Sequence, residues 1–586
     1  MNFQNKLKNF SEKLKLDIHE LFYTEDPNNY DFTLNSYTNA TTINVQEGKS
    51  EKQLENITLE QEDLKDTSSD RVFPSYDVNL EYINVRFNTL INSDIVIRKF
   101  TLSARNKQYK AFIIYIDGMS SPDLISNYIL KPLMLKNSAN SFDGIQTKVI
   151  SEVKTNNITV RKIKKFNISN YITECLIPQN DVRQTNKFDD IVEAVNAGNC
   201  ALFVDTLDIA YNIDVKGFSQ RNLDTPNNEI VIKGSQVGFT ENLRTNTSLI
   251  RRYVNNENLV IESLNIGTLS KTPCAICYLK NVANSDLVNE VHYRLSNLKI
   301  DHLTSSGQLE ELIQDDKRFS FPQIISTERP DKTTNLIFDG RVAIIVNGSP
   351  YILIAPATFS DFLLSPEDLN LKHQYSNFVR FLRFSAYIIA ILLPGIYMAI
   401  TNFHQELIPT ELLYAIVSSR ENVPFPILFE LLLMEFSFEL IREASVRVPS
   451  PVGSTIGIVG ALILGQAAVE ASIVSPILII IVALTGICSF SIPDFTLSFH
   501  SRTLRFVFTM LGALVGFLGL ASGLIVYILI LSDIKSFGVS YFQNIFKRGL
   551  ILSPAWQREN RASFLHTKRP KEQDKISMAW KYKKGN

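Results

Sequence analysis

The feature that most constrains this chain is a change of texture near residue 384. Upstream, charged residues interrupt every apolar run; downstream, whole stretches contain none. Phe384–Phe403 (FSAYIIAILLPGIYMAITNF) is charge-free and about as long as a helix must be to cross the hydrocarbon of a bilayer. Pro394 inside it predicts a kink. Val452–Val469 and Ala471–Ile492 are two more uncharged runs, separated by Glu470, and Phe506–Ser532 is a fourth. Val423–Ile441 is equally apolar but carries Glu430, Glu435 and Glu439.

Charge also sets the expected orientation. Arg380 and Arg383 precede the first run, and residues 535–586 form a tail rich in Lys and Arg. By the positive-inside rule both ends stand on the cytoplasmic side, which requires an even number of spans. A central carboxylate costs about 3 kcal/mol on insertion scales, so Val423–Ile441 is the segment to set aside. The expectation is four spans within 371–534, with 423–441 as a re-entrant or interfacial helix packed against protein.

The first 71 residues read as an N-terminal helix and a polar linker. Leu7, Phe10, Leu14, Ile18 and Leu21 have helical spacing, and residues 24–70 are Asn-, Glu- and Ser-rich. No apolar stretch follows the basic start, so the first span is expected to act as the insertion signal. Beyond the linker a pattern occurs twice. FIIYIDGMSSPDLISN (112–127) and AICYLKNVANSDLVNE (275–290) each read as a strand, a short loop and a helix. GNCALFVDTLDIAY (198–211) and GRVAIIVNGSPYIL (340–353) each read as a β-hairpin, with turns at Asp205–Asp208 and Asn347–Pro350. The expected fold is an α/β soluble region of two related domains, 72–227 and 228–370, followed by an α-helical multi-span membrane domain.

Several features carry chemistry or could. The carboxylates Glu430, Glu435, Glu439 and Glu470, with Gln466, sit in apolar sequence and are candidates for an ion path or for buried pairs. On a helix Glu435 and Glu439 share a face and Glu430 lies opposite. Glu439 has Arg442 three residues on, whereas Glu435 has no basic residue at helical spacing before Glu439. That makes Glu435 the better candidate to face water. Small residues recur every fourth place at Gly453, Gly457, Ala461 and Gly465, and again at Gly512 and Gly516, then at Gly519 and Gly523. Such stripes let helices approach closely, within one subunit or between subunits.

Other classes find no support. The net charge of −1 gives no basic field for nucleic acid. Five cysteines are too few and too odd in number for a disulfide framework. Cys274 and Cys277 form a CxxC inside a strand, where they point to opposite faces, and nothing nearby completes a metal site. No phosphate-binding loop, zinc-protease motif or nucleophile elbow occurs, so neither an enzyme nor a cofactor is expected. Residues 229–259 place Lys233-Gly234 and Gly238-Phe239 before a helix ending on Arg251-Arg252. Glycines before a helix start could hold an anion; the favoured reading is a turn and an amphipathic helix docked on the sheet.

From about residue 75 onward the chain resembles the A subunits of spore germinant receptors, the GerA family of spore germination proteins. The resemblance rests on Pro226–Glu229, KGSQVGFTENLRTNTSLIRR (233–252), FPQIISTERPDK (321–332), DGRVAIIVNGSPYILIAP (339–356) and LLPGIYMAITNFHQELIP (392–409). It continues with FELLLMEFSFELIREASVRVPSPVGSTIGIVGALILGQAAVEASIVSP (429–476). It implies a protein of the spore inner membrane that works with a transporter-like B subunit, which binds the nutrient, and a lipoprotein C subunit. It implies a homo-oligomer, a pentamer, that forms a nutrient-gated cation conduit. The competing expectation is a membrane-anchored relay scaffold without a pore, such as the accessory homologue that acts with dipicolinate-release proteins. A secondary transporter is disfavoured, because the membrane segments show no inverted repeat.

Overall fold

The computed structural model describes residues 71–542, apart from 105–106, 136–167, 218–225, 227–228, 230, 318–319 and 448–464. The expected N-terminal helix, the polar linker, Gly453, Gly457, Ala461 and most of the basic tail lie outside the described residues.

Helix α1 (Tyr76–Arg86) leads into β1 (Ile95–Ala104) and β2 (Lys107–Ile116). Helical turns from Pro122 follow, then β3 (Val182–Thr185), α2 (Phe188–Asn196), β4 (Cys200–Val204) and β5 (Ala210–Ile213). The chain then repeats the order. It forms α3 (Leu243–Tyr253), β6 (Leu259–Ile266), β7 (Thr272–Leu279), α4 (Ser285–Ser296) and α5 (Ser306–Ile313). After these come β8 (Ile325–Thr327), α6 (Pro330–Phe338), β9 (Val342–Val346) and β10 (Ile352–Ala355). The two five-stranded sheets have the orders β1-β2-β4-β5-β3 and β6-β7-β9-β10-β8. Every pairing in both is antiparallel. Ile114 stands opposite Ala201 in the first sheet, and Cys277 opposite Ala343 in the second.

Each sheet is covered on both faces, which is why its central strands are apolar at every position rather than at alternate ones. Along β2, Phe112, Ile114 and Ile116 pack toward α1 and α2, while Ala111 and Ile113 pack on the opposite face. Along β7, Ala275 and Cys277 face α3 and α6, while Cys274 and Ile276 face α4 and α5. The CxxC cysteines therefore point apart, and both are free.

A buried ion pair joins the two units. Arg251 on α3 reaches Asp94 before β1 at 2.8 and 2.9 Å, and both side chains are almost fully enclosed. Asn92 accepts from Arg251 and from the Ile261 backbone NH. This explains the Arg251-Arg252 end of α3: the first arginine is a junction group, and Arg252 lies on the outer side. No anion is needed at the other end, because the Asn242 side chain caps it by accepting from Arg244 N and Thr245 N.

Downstream lie helices α7 (His373–Phe403), α8 (Thr410–Arg420), α9 (Ile427–Arg447), α10 (Pro476–Phe490) and α11 (Phe495–Asp533). Two of them, over Gln374–Phe403 and Phe495–Asp533, are long and apolar enough to cross a membrane. α7 continues through Pro394.

The uncharged run Phe506–Ser532, counted above as one span, is not one continuous helix. Gly516 adopts φ 68° and ψ −144°, and the chain turns back there. The limbs before and after it lie antiparallel, with the Phe508 and Tyr527 rings 6.3 Å apart. Only a residue without a Cβ takes that conformation readily. Both limbs are uncharged, so hydropathy cannot show the turn between them. Val423–Ile441 likewise shifts. Its helix starts at Ile427 and runs on to Arg447, about 31 Å at 1.5 Å per residue, the hydrocarbon thickness of a bilayer.

Candidate functional site

The site is best located from the helix directions. α7 leaves the second sheet and ends beside the Gly516 turn, where Phe403 would touch a methyl group placed on Gly516. α11 starts and ends at the sheet: His500 Nδ1 lies 2.8 Å from Ser320 Oγ, and Ser536 beyond its end donates to the Gln323 carbonyl. α9 and α10 run side by side, from Glu430 beside Ser475 to Arg442 beside Ser489. The helices thus have a near end at the α/β part and a far end at Gly516.

Between these ends lies a cluster of buried charge. Glu435 and Glu439 share a face of α9, and that face meets the first limb of α11. Arg505 stands 2.8 Å from Glu435 and 2.9 Å from Glu439, and Arg502 stands 2.8 Å from Glu439. Glu435 and Arg505 are each 1% exposed. Glu430, on the opposite face, accepts from Arg420 of α8 at 3.1 Å and from the Ser475 backbone NH. Arg442 lies over the Phe490 ring and donates to Ser489. Gln466 donates to Glu470 at 2.9 Å on an exposed stretch away from the cluster.

An unpaired ionised group in such a place is expensive, so Glu430, Glu435 and Glu439 each meet a guanidinium from another helix. The reading of Glu435 as a group lacking a basic partner is therefore corrected. Its partner comes from α11, where Arg505 sits one residue before the uncharged run. Spacing within one helix could not reveal it. The residues that sequence reasoning missed are Arg420, Arg502 and Arg505. The one available signal was that three arginines flank otherwise uncharged stretches.

Among the described small residues, Gly512, Gly519 and Gly523 pack tightly within the chain. A methyl group on Gly512 would overlap the Gly395 carbonyl of α7, and one on Gly519 would overlap the Leu511 carbonyl across the hairpin. Gly523 faces Leu511 and Phe508, and Gly465 lies 3.8 Å short of Ile479 by the same measure. Gly516 serves the turn rather than a helix interior.

Further contacts fasten the helices to the second sheet. One apolar core runs from Ile261, Ala343 and Ile354 on the sheet through Phe321, Phe359 and Tyr541 to Tyr387, Leu497 and Phe508 on the helices. Asp368, fully buried, receives Arg380 at 3.3 Å and Arg383 at 2.8 Å. After α11, a short hairpin of β11 (Lys535–Ser536) and β12 (Val539–Ser540) inserts Phe537 into the sheet's other core layer. Phe537 takes φ 46° at that turn, a conformation a bulky side chain rarely adopts. Arg294 lies over its ring.

The TERPDK stretch (327–332) locks the loop before α3. Arg329 is fully buried and donates to the carbonyls of Glu229 and Ser235. Burial alone would raise the Glu229 carboxyl. Lys332 at 2.6 Å, with hydrogen bonds from Thr327 and Glu328, outweighs it and holds the group below its ordinary value. Among the described residues no group of His, Cys, Asp and Glu could hold a metal ion.

These sequences have relatives. The chain is 37% identical over 477 residues to spore germination protein KA of Bacillus subtilis (strain 168), covering 80% of this chain and 83% of the relative. It is 35% identical over 506 residues to the uncharacterized membrane protein YfkQ of the same organism, covering 85% and 93%. It is 40% identical over 366 residues to spore germination protein A1, covering 62% and 76%. A crystal structure of the N-terminal domain of the A subunit of the Bacillus megaterium spore germinant receptor GerK3 aligns at 28% identity and a TM-score of 0.35, over 49% of this chain and 97% of that one. The family model for the Bacillus/Clostridium GerA spore germination protein matches residues 81–564. The chain belongs to the GerA family of spore germination proteins.

Proposed function

We propose that this chain is the A component of a spore nutrient-germinant receptor, seated in the spore inner membrane by its helices. Its α/β part and both termini face the core side. It works with a transporter-like B subunit and a lipoprotein C subunit, and copies of it assemble, as a pentamer, into a cation conduit opened by nutrient. Family membership supports the receptor role. The observation that carries the gating role is the single apolar core shared by the second sheet and the helices. A shift of the α/β part cannot leave the helices unmoved, because a packed core has discrete arrangements rather than continuous slack.

The helix directions support a reading with more than four spans. α7, α9, α10 and the two limbs of α11 each run between the near and far ends. These are five passages among the described residues, more than the four spans first expected, and an even total would keep both termini on the core side. We assign Glu435 and Glu439 to bracing these passages. With Glu430, Glu435 and Glu439 each opposite an arginine, the conduit forms between copies rather than inside one.

The same neutralisation favours a second reading, a membrane-anchored relay scaffold with no pore of its own. In spores whose only receptor of this kind contains the chain, its deletion should abolish nutrient-evoked germination under either reading. Normal germination without it would refute both. Labelling of cysteines placed at positions 50 and 580 tests the orientation. An impermeant reagent added from outside should modify neither.

A further inference from the structure

The first turns of α7 expose an uninterrupted aromatic stripe. Tyr375 is 58% exposed, and Phe378 and Phe381 are each 61% exposed. Their spacing of three residues keeps them on one side of the helix. That side continues through Leu382 to Ile388, which is also exposed, within the apolar span. The arginines of this segment point the other way. Arg380 and Arg383 are turned into the protein and bound to Asp368. The helix therefore has no charge on its outward stripe at the level where the positive-inside rule expects one.

Length places the stripe. α7 has 31 residues, about 46 Å at 1.5 Å per residue. A bilayer measures about 40–45 Å with its headgroup layers and about 30 Å without them. With the charge-free run from Phe384 filling the hydrocarbon, Phe381 and Phe378 stand about 4.5 and 9 Å outside it. Those positions fall in and at the edge of the headgroup layer, and Tyr375, about 13.5 Å out, lies on its water side. Trp and Tyr are enriched at that depth, and Phe is among the residues that interfacial helices bury at the headgroup–acyl boundary. A water-facing apolar stripe of this extent would instead be a liability.

We infer that Phe378 and Phe381 form a lipid-contact anchor at the headgroup layer on the α/β side, with Tyr375 on its water side, seating the base of the second sheet against the bilayer. This rests on the membrane reading above. It makes the Asp368 pairings intelligible: at that depth two guanidiniums close to lipid need a fixed counter-charge. It also fixes the height of the α/β part, so that motion there acts on the helices and not on a slack connection.

The test uses the full chain in liposomes, in a Cys175→Ser background, since Cys175 is the exposed native cysteine among the described residues. An environment-sensitive fluorophore is attached in turn at Phe378→Cys, at Leu518→Cys on the helices and at Leu90→Cys on the first α/β unit. Leu518 is 74% and Leu90 87% exposed, so none of these changes enters a core. Lipids carrying a nitroxide near the headgroup should quench the Phe378 label several-fold more than the Leu90 label. Quenching at Leu518 by chain-labelled lipids with none at Phe378 overturns the anchor and leaves the membrane reading intact. Efficient cross-linking of Phe378→Cys between copies, with no lipid quenching, overturns it in favour of a subunit interface. No quenching at Leu518 overturns the membrane reading itself.

Discussion

Arg505→Met is the substitution whose effect the charge cluster predicts most sharply. The guanidinium lies 2.8 Å from Glu435 and 2.9 Å from Glu439, and Glu435 is 1% exposed. Methionine fills a similar volume and removes the charge. Glu439 keeps Arg502 at 2.8 Å, so the loss concentrates on Glu435. Breaking one side of a buried pair costs about 3–5 kcal/mol, because the remaining charge stays enclosed without compensation. At about 1.4 kcal/mol per factor of ten, that lowers the ratio of folded to unfolded protein by about a hundred- to several-thousand-fold. Glu435→Gln alone should cost only about 1–2 kcal/mol, since it leaves Arg505 bound to Glu439. The double variant should be more stable than Arg505→Met, because the stranded carboxylate is gone. The assay is thermal aggregation of the detergent-solubilised full chain, with immunoblot level in spore membranes beside it. Wild-type melting of Arg505→Met, or a double variant no better than the single one, would refute the bracing role.

The junction between the α/β units obeys the same logic: Arg251→Met should destabilise by about 3–5 kcal/mol, and adding Asp94→Asn should recover part of that in a denaturant titration. Gly512→Leu should lower the amount of folded chain, not merely its assembly, because the side chain would run into the Gly395 backbone; Leu514→Ala, 67% exposed, is the matched control and should accumulate normally. Glu310 gives a pH signature. Burial first, and Asp494 second, push its carboxyl up to about 7. The folded state therefore holds a proton there that the unfolded chain releases near pH 4.5, so this group lowers stability as pH rises from about 4.5 to 7. Glu310→Gln should raise the melting temperature at pH 8 and leave it nearly unchanged at pH 4.5; an equal shift at both would contradict the assignment.

What could be read from the chain divides along a physical line. Strands and hairpins were legible because turn residues at Asp205–Asp208 and Asn347–Pro350 bound short apolar runs. The doubled order showed because both copies keep the same sequence of strand, helix and hairpin. The turn at Gly516 was hidden, since one more glycine in an apolar, glycine-rich run does not announce a positive φ. The pairs Glu435–Arg505, Asp94–Arg251 and Asp368–Arg383 were hidden for another reason. Helical spacing reports neighbours along one element, and these partners come from different elements. The charges placed before the first span on topological grounds turn out to have an internal use as well.

Flux of monovalent cations through the purified chain, with and without its receptor partners, in sealed liposomes would test the central claim most directly. The account predicts efflux that needs both the assembled receptor and its nutrient, and that the nutrient-insensitive background stays low. Nutrient-evoked germination in spores from a chain that inserts and assembles, yet passes no cation in the complete reconstituted receptor, would contradict the conduit and leave the scaffold.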